Sequence, residues 1–357
     1  MSTHAVSDSE ENIPALPKVA IIGCGLIGAM WDTPETAHTY SLTHAAGFSK
    51  HPGCQLMAFC DADLARAQAA ATRWSVPNAY ADVACMLREI APDIVVIAAA
   101  SSARMALLQP VLAAKVKVCV IEKPLASSID ECHAVVNALQ DSQTQSLVNF
   151  SRHWDPALHA LGQRIAAGEW GQIQRLQAWY GKGLSNNGSH MIDLVGLLCD
   201  AQAQRVRASA TPLAASEADW SQGKDLALDA QIIYQSRAGQ TLQLDLLATD
   251  QSAFTCFELR ILLQHAVIEI SRGARQISLT PIVDDPNFAN YRIPGAPSIL
   301  PSGYLQTMDE MVAEAIKIAA GQLDKSRCDA KTALTTALTV EAIKRSLAEQ
   351  ESWQDVA

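Results

Sequence analysis

The stretch Lys18 to Gly28, KVAIIGCGLIG, constrains the fold more than any other part of the chain. Four apolar residues, Val19 to Ile22, run into a glycine turn, which predicts a short buried strand. Gly23, Gly25 and Gly28 then follow with the spacing G-x-G-x-x-G. Between a strand and a helix these glycines have separate duties. The first permits the tight turn, the second lets backbone approach a pyrophosphate, and the third lets helix and strand pack closely. The unpaired N–H groups and positive dipole end of the helix, at Leu26 and Ile27, would face the phosphates. A dinucleotide is the expected ligand.

The chain after Gly28 tests that reading. The helix starts as LIGAMWD, meets Pro34, and resumes from Thr43 as THAAGFSK, so residues 31–42 read as an insertion carrying Trp31, Asp32, His38 and Tyr40. A second strand, Gln55 to Cys60, ends at Asp61, where a carboxylate would accept hydrogen bonds from the adenosine ribose. Gly28 and Asp61 are 33 positions apart, and setting aside the 12-residue insertion leaves 21. The motif expects its acidic residue about 20 positions on. Asp61 would also repel a ribose 2′-phosphate, and Ala62 and Asp63 bring no arginine to receive one, so NAD is expected rather than NADP.

Helix and strand keep alternating. Helices are expected over Leu64–Trp74, Val83–Ile90, Ser102–Ala114 and Ser128–Gln140, the last with the capping box Ser128-x-x-Glu131. Strands are expected at Asp93–Ala99, Lys117–Ile121 and Ser146–Phe150. This alternation predicts a doubly wound parallel sheet over 18–150 with its ligand at the carboxyl ends of the strands. The pattern changes past Arg152. A helix over Pro156–Ala167 precedes strands at Gln172–Tyr180, Arg205–Thr211, Leu226–Gln235, Gln240–Ala248, Phe254–Leu263, His265–Ser271 and Gln276–Pro281. Strands without intervening helices predict an α+β domain over 151–357 with an open, mainly antiparallel sheet. Residues 282–303, with four prolines, read as a loop. Two helices, Tyr304–Ala320 and Asp329–Gln350, end the chain and are expected to pack back on the first domain.

Composition narrows the partners. Over 357 residues the net charge is −10 and no Lys/Arg cluster stands out, so neither nucleic acid nor a membrane surface is expected. No apolar run approaches the ~18 residues of a membrane span. Residues 1–17 are polar and acidic, without the features of a signal peptide, and read as a flexible tail. Nine cysteines without a C-x-x-C pair predict reduced core residues in a cytoplasmic protein and no metal site.

Two segments carry candidate chemistry. Glu122-Lys123-Pro124 ends a buried parallel strand on the sheet edge that holds the glycine loop, so Lys123 should lie near the reactive end of a dinucleotide. Burial and neighbouring cations would lower its pKa and suit it to proton transfer. In the second segment, Gly181 to Asp193, His190 and Asp193 are i and i+3 on one helix, and Asn186 lies one turn earlier. A histidine and a carboxylate on one face can act as an acid/base and its orienter.

GCGLIG, Asp61, Glu122-Lys123-Pro124, Asn149-x-x-Arg152 and Gly188-Ser-His-x-x-Asp193 together resemble the glucose–fructose oxidoreductase / inositol dehydrogenase (Gfo/Idh/MocA) family over nearly the whole chain after residue 17. The resemblance implies a Rossmann domain and an open-sheet domain through which copies assemble as a dimer or tetramer. It implies NAD-dependent hydride transfer to or from a sugar-like hydroxyl. By matching positions, Lys123 and His190 would be the catalytic pair. Gly23, Gly25, Leu26, Ile27, Gly28, Asp61, Ala99, Ser101, Glu122 and Lys123 would surround the cofactor, and Arg152, Lys182, Asn186, Asn187 and Asp193 the substrate. Two departures stand out: Asn186 replaces a common aspartate, and Ala99-Ala100-Ser101-Ser102-Ala103-Arg104 replaces the usual Thr-Pro segment. The insertion and the Asn-Asn-Gly-Ser-His stretch resemble members acting on phosphorylated or nucleotide-linked sugars. The family also includes regulators that bind dinucleotide without turnover, and NAD-assisted lyases and glycosidases.

Overall fold

Six short, almost wholly buried strands organise the first half of the chain, because each must be covered on both faces. They are β1 (Lys18–Ile22), β2 (Gln55–Cys60), β3 (Asn78–Tyr80), β4 (Ile94–Ile97), β5 (Val118–Ile121) and β6 (Gln145–Val148). All pair in parallel in the order β3-β2-β1-β4-β5-β6. This is the doubly wound order whose switch point, between β1 and β4, opens a crevice at the carboxyl ends of the strands. The computed structural model describes residues 15–36, 39–211, 218–219, 224–250, 252 and 254–356. Most of the tail expected over 1–17 lies outside those residues, as does His38.

Helices α1 (His44–Lys50), α2 (Leu64–Arg73), α3 (Val83–Ile90), α4 (Arg104–Ala113) and α5 (Ile129–Gln140) connect and flank these strands. Their starts are set locally. Thr43, Asp63, Asp82 and Ser128 each accept a backbone N–H of the first turn through the side chain. The helix expected after the glycine loop is a single wide turn, Leu26–Met30. Asp32 then fastens the insertion, its Oδ2 accepting the N–H groups of Leu42 and Thr43 at 2.6 and 2.7 Å. The helix expected from Ser102 begins with one tight turn, Ser101–Ala103.

The second half comprises α6 (Pro156–Ala166), β7 (Ile173–Tyr180), α7 (Ser189–Cys199), β8 (Ala201–Ala210), the two-residue strands β9 (Ala218–Asp219) and β10 (Lys224–Asp225), β11 (Leu228–Ser236), β12 (Thr241–Ala248), β13 (Phe257–Leu263), β14 (Ala266–Ser271), β15 (Gln276–Asp284), β16 (Arg292–Pro294), β17 (Ser298–Leu300), α8 (Thr307–Ala319), α9 (Ala330–Ala348) and β18 (Gln354–Asp355). Its large sheet runs β16-β15-β14-β13-β7-β12-β11-β8-β18, with β17 also on β15. Pairing is antiparallel except between β7 and β12. The 282–303 loop is thus corrected. β15 continues to Asp284, and β16 and β17 pair with it; Pro294 is tolerated at the end of a short edge strand, and the other three prolines fall outside the strands.

Buried residues form two clusters. The first joins the parallel sheet to Met308, Met311, Val312 and Ala315 of α8 and to Ala330 and Ala333 of α9. The second joins the antiparallel sheet to α6, α7 and Val340, Ala342 and Ile343, also on α9. Burying each large aliphatic side chain contributes roughly 1.5–3 kcal/mol. One helix therefore sits in both cores and holds the edge of one sheet against the other.

Candidate active site

The glycine loop is built as its spacing demands. Gly23 has φ +96°, and a Cβ there would lie 2.7 Å from the backbone of Ala98 and Ala99. A Cβ on Gly28 would lie 2.0 Å from the Gly23 carbonyl oxygen, so the turn and its helix close on each other. A Cβ on Gly25 would meet nothing within 4 Å. The middle glycine therefore faces open space, which is what a diphosphate cradle requires. At the end of β2, Asp61 accepts the Cys24 N–H at 2.9 Å and the Asp63 N–H at 3.0 Å, which places its carboxylate beside the loop. Ser101 lies across the crevice, where its hydroxyl accepts from Ser127 at 3.2 Å.

Lys123 follows β5 on the same sheet edge, before a cis bond to Pro124. Its Nζ donates to Asn186 Oδ1 at 2.5 Å, across the boundary between the two sheets. Asn186 sits on the wide turn Gly183–Gly188 that leads into α7. Asp225 holds that turn, its two oxygens accepting the N–H groups of Ser185 and Asn186 at 2.9 and 2.8 Å. Burial lowers the pKa of Lys123, with Arg152 and Lys182 adding to the effect against the opposing pull of Glu122 and Asp225. His190, in the first turn of α7, is buried and packs edge-on to Phe150 with ring centroids 5.4 Å apart. Its Nδ1 has no hydrogen-bond partner, and burial, with Lys123 and Arg152 nearby, holds its pKa well below the usual histidine range. At neutral pH it is an uncharged imidazole.

Residues 17–150 match the family model for the oxidoreductase family with NAD-binding Rossmann fold. Its Rossmann domain is similar to that of the Gfo/Idh/MocA family. The chain is similar to a D-apiose dehydrogenase from Paraburkholderia graminis, 29% identical over 162 residues, or 44% of this chain and 39% of that protein. It is similar to a myo-inositol dehydrogenase from Streptomyces leeuwenhoekii, 30% identical over 162 residues, 44% of each. The matches thus span under half the length of these curated relatives. Among solved structures, levoglucosan dehydrogenase in complex with NADH and L-sorbose superposes with TM-score 0.72 at 16% identity, covering 96% of this chain and 99% of that one. At that identity the likeness establishes the fold.

Several expected site residues sit differently from the sequence reading. Asp193 does not join Lys123 and His190. Its carboxylate lies 3.1 Å from His153 Nδ1. Residues i and i+3 are offset by about 60° around a helix, enough here to send the two side chains to different partners. His153 Nε2 lies 3.0 Å from the Arg327 carbonyl oxygen, so both ring nitrogens face acceptors and the imidazolium is the form that satisfies both. Its pKa is accordingly raised well above the usual value, Cys328 and Asp193 outweighing burial. His153, Asp193 and Cys328 offer donor atoms within 4.8 Å of one another. With both His153 nitrogens engaged, the group is a hydrogen-bonded clamp on the segment before α9.

Glu122 also turns inward. Its Oε1 accepts from Asn149 at 2.7 Å and pairs with His44 Nε2 at 2.8 Å, so this carboxylate braces the cofactor crevice from beneath. Arg104, in the segment that departs from the family pattern, is the residue that sequence reasoning missed most plainly. It is 1% exposed. Its guanidinium donates to the carbonyls of Ile97, Glu122, Pro124 and Leu125 at 2.8–3.3 Å, tying β4 to the turn that carries Lys123. Arg66 was also missed, its guanidinium lying 3.9 Å from Asp61 one helical turn along α2. Leu26 is exposed and Ile27 half-buried beside the glycine loop, Ala99 adjoins Gly23, Asn187 is buried, and Lys182 is half-buried with positive φ before the Asn186 turn.

Proposed function

We propose that this protein is an NAD(H)-dependent dehydrogenase acting on a secondary hydroxyl, or the matching ketone, of a sugar-like substrate. The observation that carries the reading is the Lys123–Asn186 hydrogen bond, which joins the sheet edge beside the glycine loop to the turn that delivers His190. When bound, the nicotinamide supplies a hydride acceptor or donor. Gly23, Gly25 and Gly28 would cradle its diphosphate, Asp61 its ribose, and Ala99 and Ser101 would flank its path across the crevice. The open space at Gly25 fits that role.

Proton movement falls to this chain's own side chains. A carbinol losing hydride must also lose its hydroxyl proton. Lys123, with a lowered pKa, and His190, an uncharged imidazole, are the two groups able to take it. Asn186 cannot titrate, so it orients Lys123. Whichever group does not take the proton can donate a hydrogen bond to the oxygen as charge develops there. The names of two relatives, a D-apiose dehydrogenase and a myo-inositol dehydrogenase, support a polyol. A phosphorylated or nucleotide-linked sugar is the finer form of this reading. Free cysteines support a reducing compartment, and among the described residues no helix is long and apolar enough to cross a membrane. The exposed Phe288, Tyr291 and Ile299 near the edge strands support assembly with a second copy through the antiparallel sheet.

The test is a screen of polyols, sugar acids and sugar phosphates, following NADH absorbance, with Lys123→Ala and His190→Ala alongside. Each variant should lose roughly 10²–10⁴ in turnover. Full activity in both would end the assignment of these two side chains, whereas NADH binding without turnover of any substrate by the wild type would favour a dinucleotide-binding regulator.

A further inference from the structure

Among the described residues, Arg152 is a buried cation without an anionic partner. It is 8% exposed and follows β6 on the same sheet edge as Lys123, two residues after the phenylalanine that touches His190. Its guanidinium lies between two rings, with Cζ 3.8 Å from the centroid of Phe257 and 5.3 Å from that of Tyr304. Among the described residues its Nε has no hydrogen-bond partner, and its side chain makes only a long 3.4 Å contact to Ser151 Oγ. A second arginine, Arg275, also stands over Tyr304, with Cζ 4.5 Å from the ring centroid. Among the described residues neither guanidinium makes an ion pair with a carboxylate, and the Asp225 oxygens are already taken by backbone N–H groups.

A charge removed from water and left unpaired is strongly unfavourable. Aromatic faces compensate part of this through cation–π attraction, but stacking leaves the edge N–H donors of the guanidinium unused. That edge matches the planar oxygens of a carboxylate or the tripod of a phosphate, which it can bind with two parallel hydrogen bonds. Arg275 is exposed at the rim, where a second cation draws an anion in.

We propose that the substrate is a sugar or polyol bearing an anionic oxyacid group, carboxylate or phosphate, which Arg152 binds edge-on and Arg275 meets at the mouth. This rests on the dehydrogenase reading for the identity of the pocket, not for its charge preference. Arg152 thereby becomes the specificity residue of the site. It rejects neutral sugars because they leave its donors unpaired in a buried place.

Two measurements test it. The first needs no turnover: full-length protein saturated with NADH is melted in millimolar malonate, in phosphate, and in sodium chloride of equal ionic strength. One or both oxyanions should raise the melting temperature above the chloride control, and Arg152→Met should abolish the rise while NADH affinity changes less than about twofold. Malonate alone acting points to a sugar acid; phosphate alone points to a sugar phosphate. Arg152→Lys, which keeps the charge but loses the planar fork, should retain a reduced effect and guards against a folding defect in the methionine variant. The second compares matched neutral, carboxylate and phosphate forms of one sugar. The preferred anion should exceed its neutral parent by ~10²-fold or more in kcat/KM, and that ratio should collapse in Arg152→Met. Oxyanions no better than chloride, or a ratio surviving in Arg152→Met, overturn the proposal even if neutral sugars are oxidised. If the oxyanions stabilise through Arg152 but no sugar in any form is oxidised, the anion site stands and the dehydrogenase reading fails.

Discussion

Asp193→Asn separates the structural reading of α7 from the one its sequence suggests. The wild-type carboxylate lies 3.1 Å from His153 Nδ1, and the two side chains are 2% and 7% exposed. The other ring nitrogen lies 3.0 Å from the Arg327 carbonyl oxygen. An asparagine preserves shape but removes the charge, leaving either an unpaired imidazolium or a neutral ring with one bond lost. Breaking a buried pair from one side costs about 3–5 kcal/mol. A domain of 150–250 residues loses roughly 2–4 °C per kcal/mol, so the melting temperature should fall by roughly 6–20 °C. The sign with pH follows from the raised pKa of His153. Stabilisation from a raised histidine is complete below the unfolded value near 6.5 and fades as pH rises through the folded one. The gap between wild type and variant should therefore be widest near pH 6 and narrow toward alkaline pH. His190, whose pKa is depressed, titrates the opposite way in both proteins and cancels in the difference. Melts by circular dichroism across this range, paired with turnover at 25 °C, decide the matter. Turnover should stay within about threefold, because Asp193 does not reach Lys123. A variant that melts within about two degrees of wild type, yet has lost ~10²-fold in kcat, would place Asp193 in the chemistry and refute the argument.

Gly25→Val should fold, since its Cβ meets nothing within 4 Å, but should lose NADH binding by calorimetry; near-native affinity would contradict the cradle. Asn186→Asp puts a carboxylate where Lys123 now donates at 2.5 Å. The acid limb of the pH–rate profile should move upward by about one unit, and an unmoved profile would separate this residue from proton transfer. Arg104→Met leaves four carbonyl oxygens without their donor. It should lower stability by about 3 kcal/mol and kcat by ~10-fold with NADH affinity little changed, as expected if Arg104 positions Lys123; equal losses in kcat and NADH affinity would point to a general collapse of the crevice. Wild type should bind NADH more tightly than NADPH, and Asp61→Ser should narrow that margin by freeing Arg66 to meet a 2′-phosphate; an unchanged margin would exclude Arg66 from cofactor choice.

What could be read from sequence was what short segments decide by themselves. A buried strand that meets G-x-G-x-x-G fixes its own turn, and a strand ending in Glu122-Lys123-Pro124 puts its lysine on the carboxyl edge once the sheet is parallel. Three-residue β3 escaped notice because Asn78–Tyr80 is too short to show a period, though it completes the strand order. The prolines of 282–303 suggested a loop because a proline is excluded from central strands, and only pairing with β15 shows these to be edges. The site failed in a different way. Helical spacing located His190 and Asp193 well enough, but it says nothing of what faces each side chain from another element. His153 claimed Asp193 from a turn 40 positions upstream, and no local pattern announces that choice. Arg104 has the same origin: a lone arginine in an alanine- and serine-rich stretch reads as a solvated helix start until four carbonyls from two segments converge on it. Buried charges are costly to leave unmatched, so they are the residues whose partners are most strictly determined by the fold and least visible in the chain. By the same logic Arg152, the buried charge for which the described residues supply no anionic partner, is where the missing partner should be sought in the substrate.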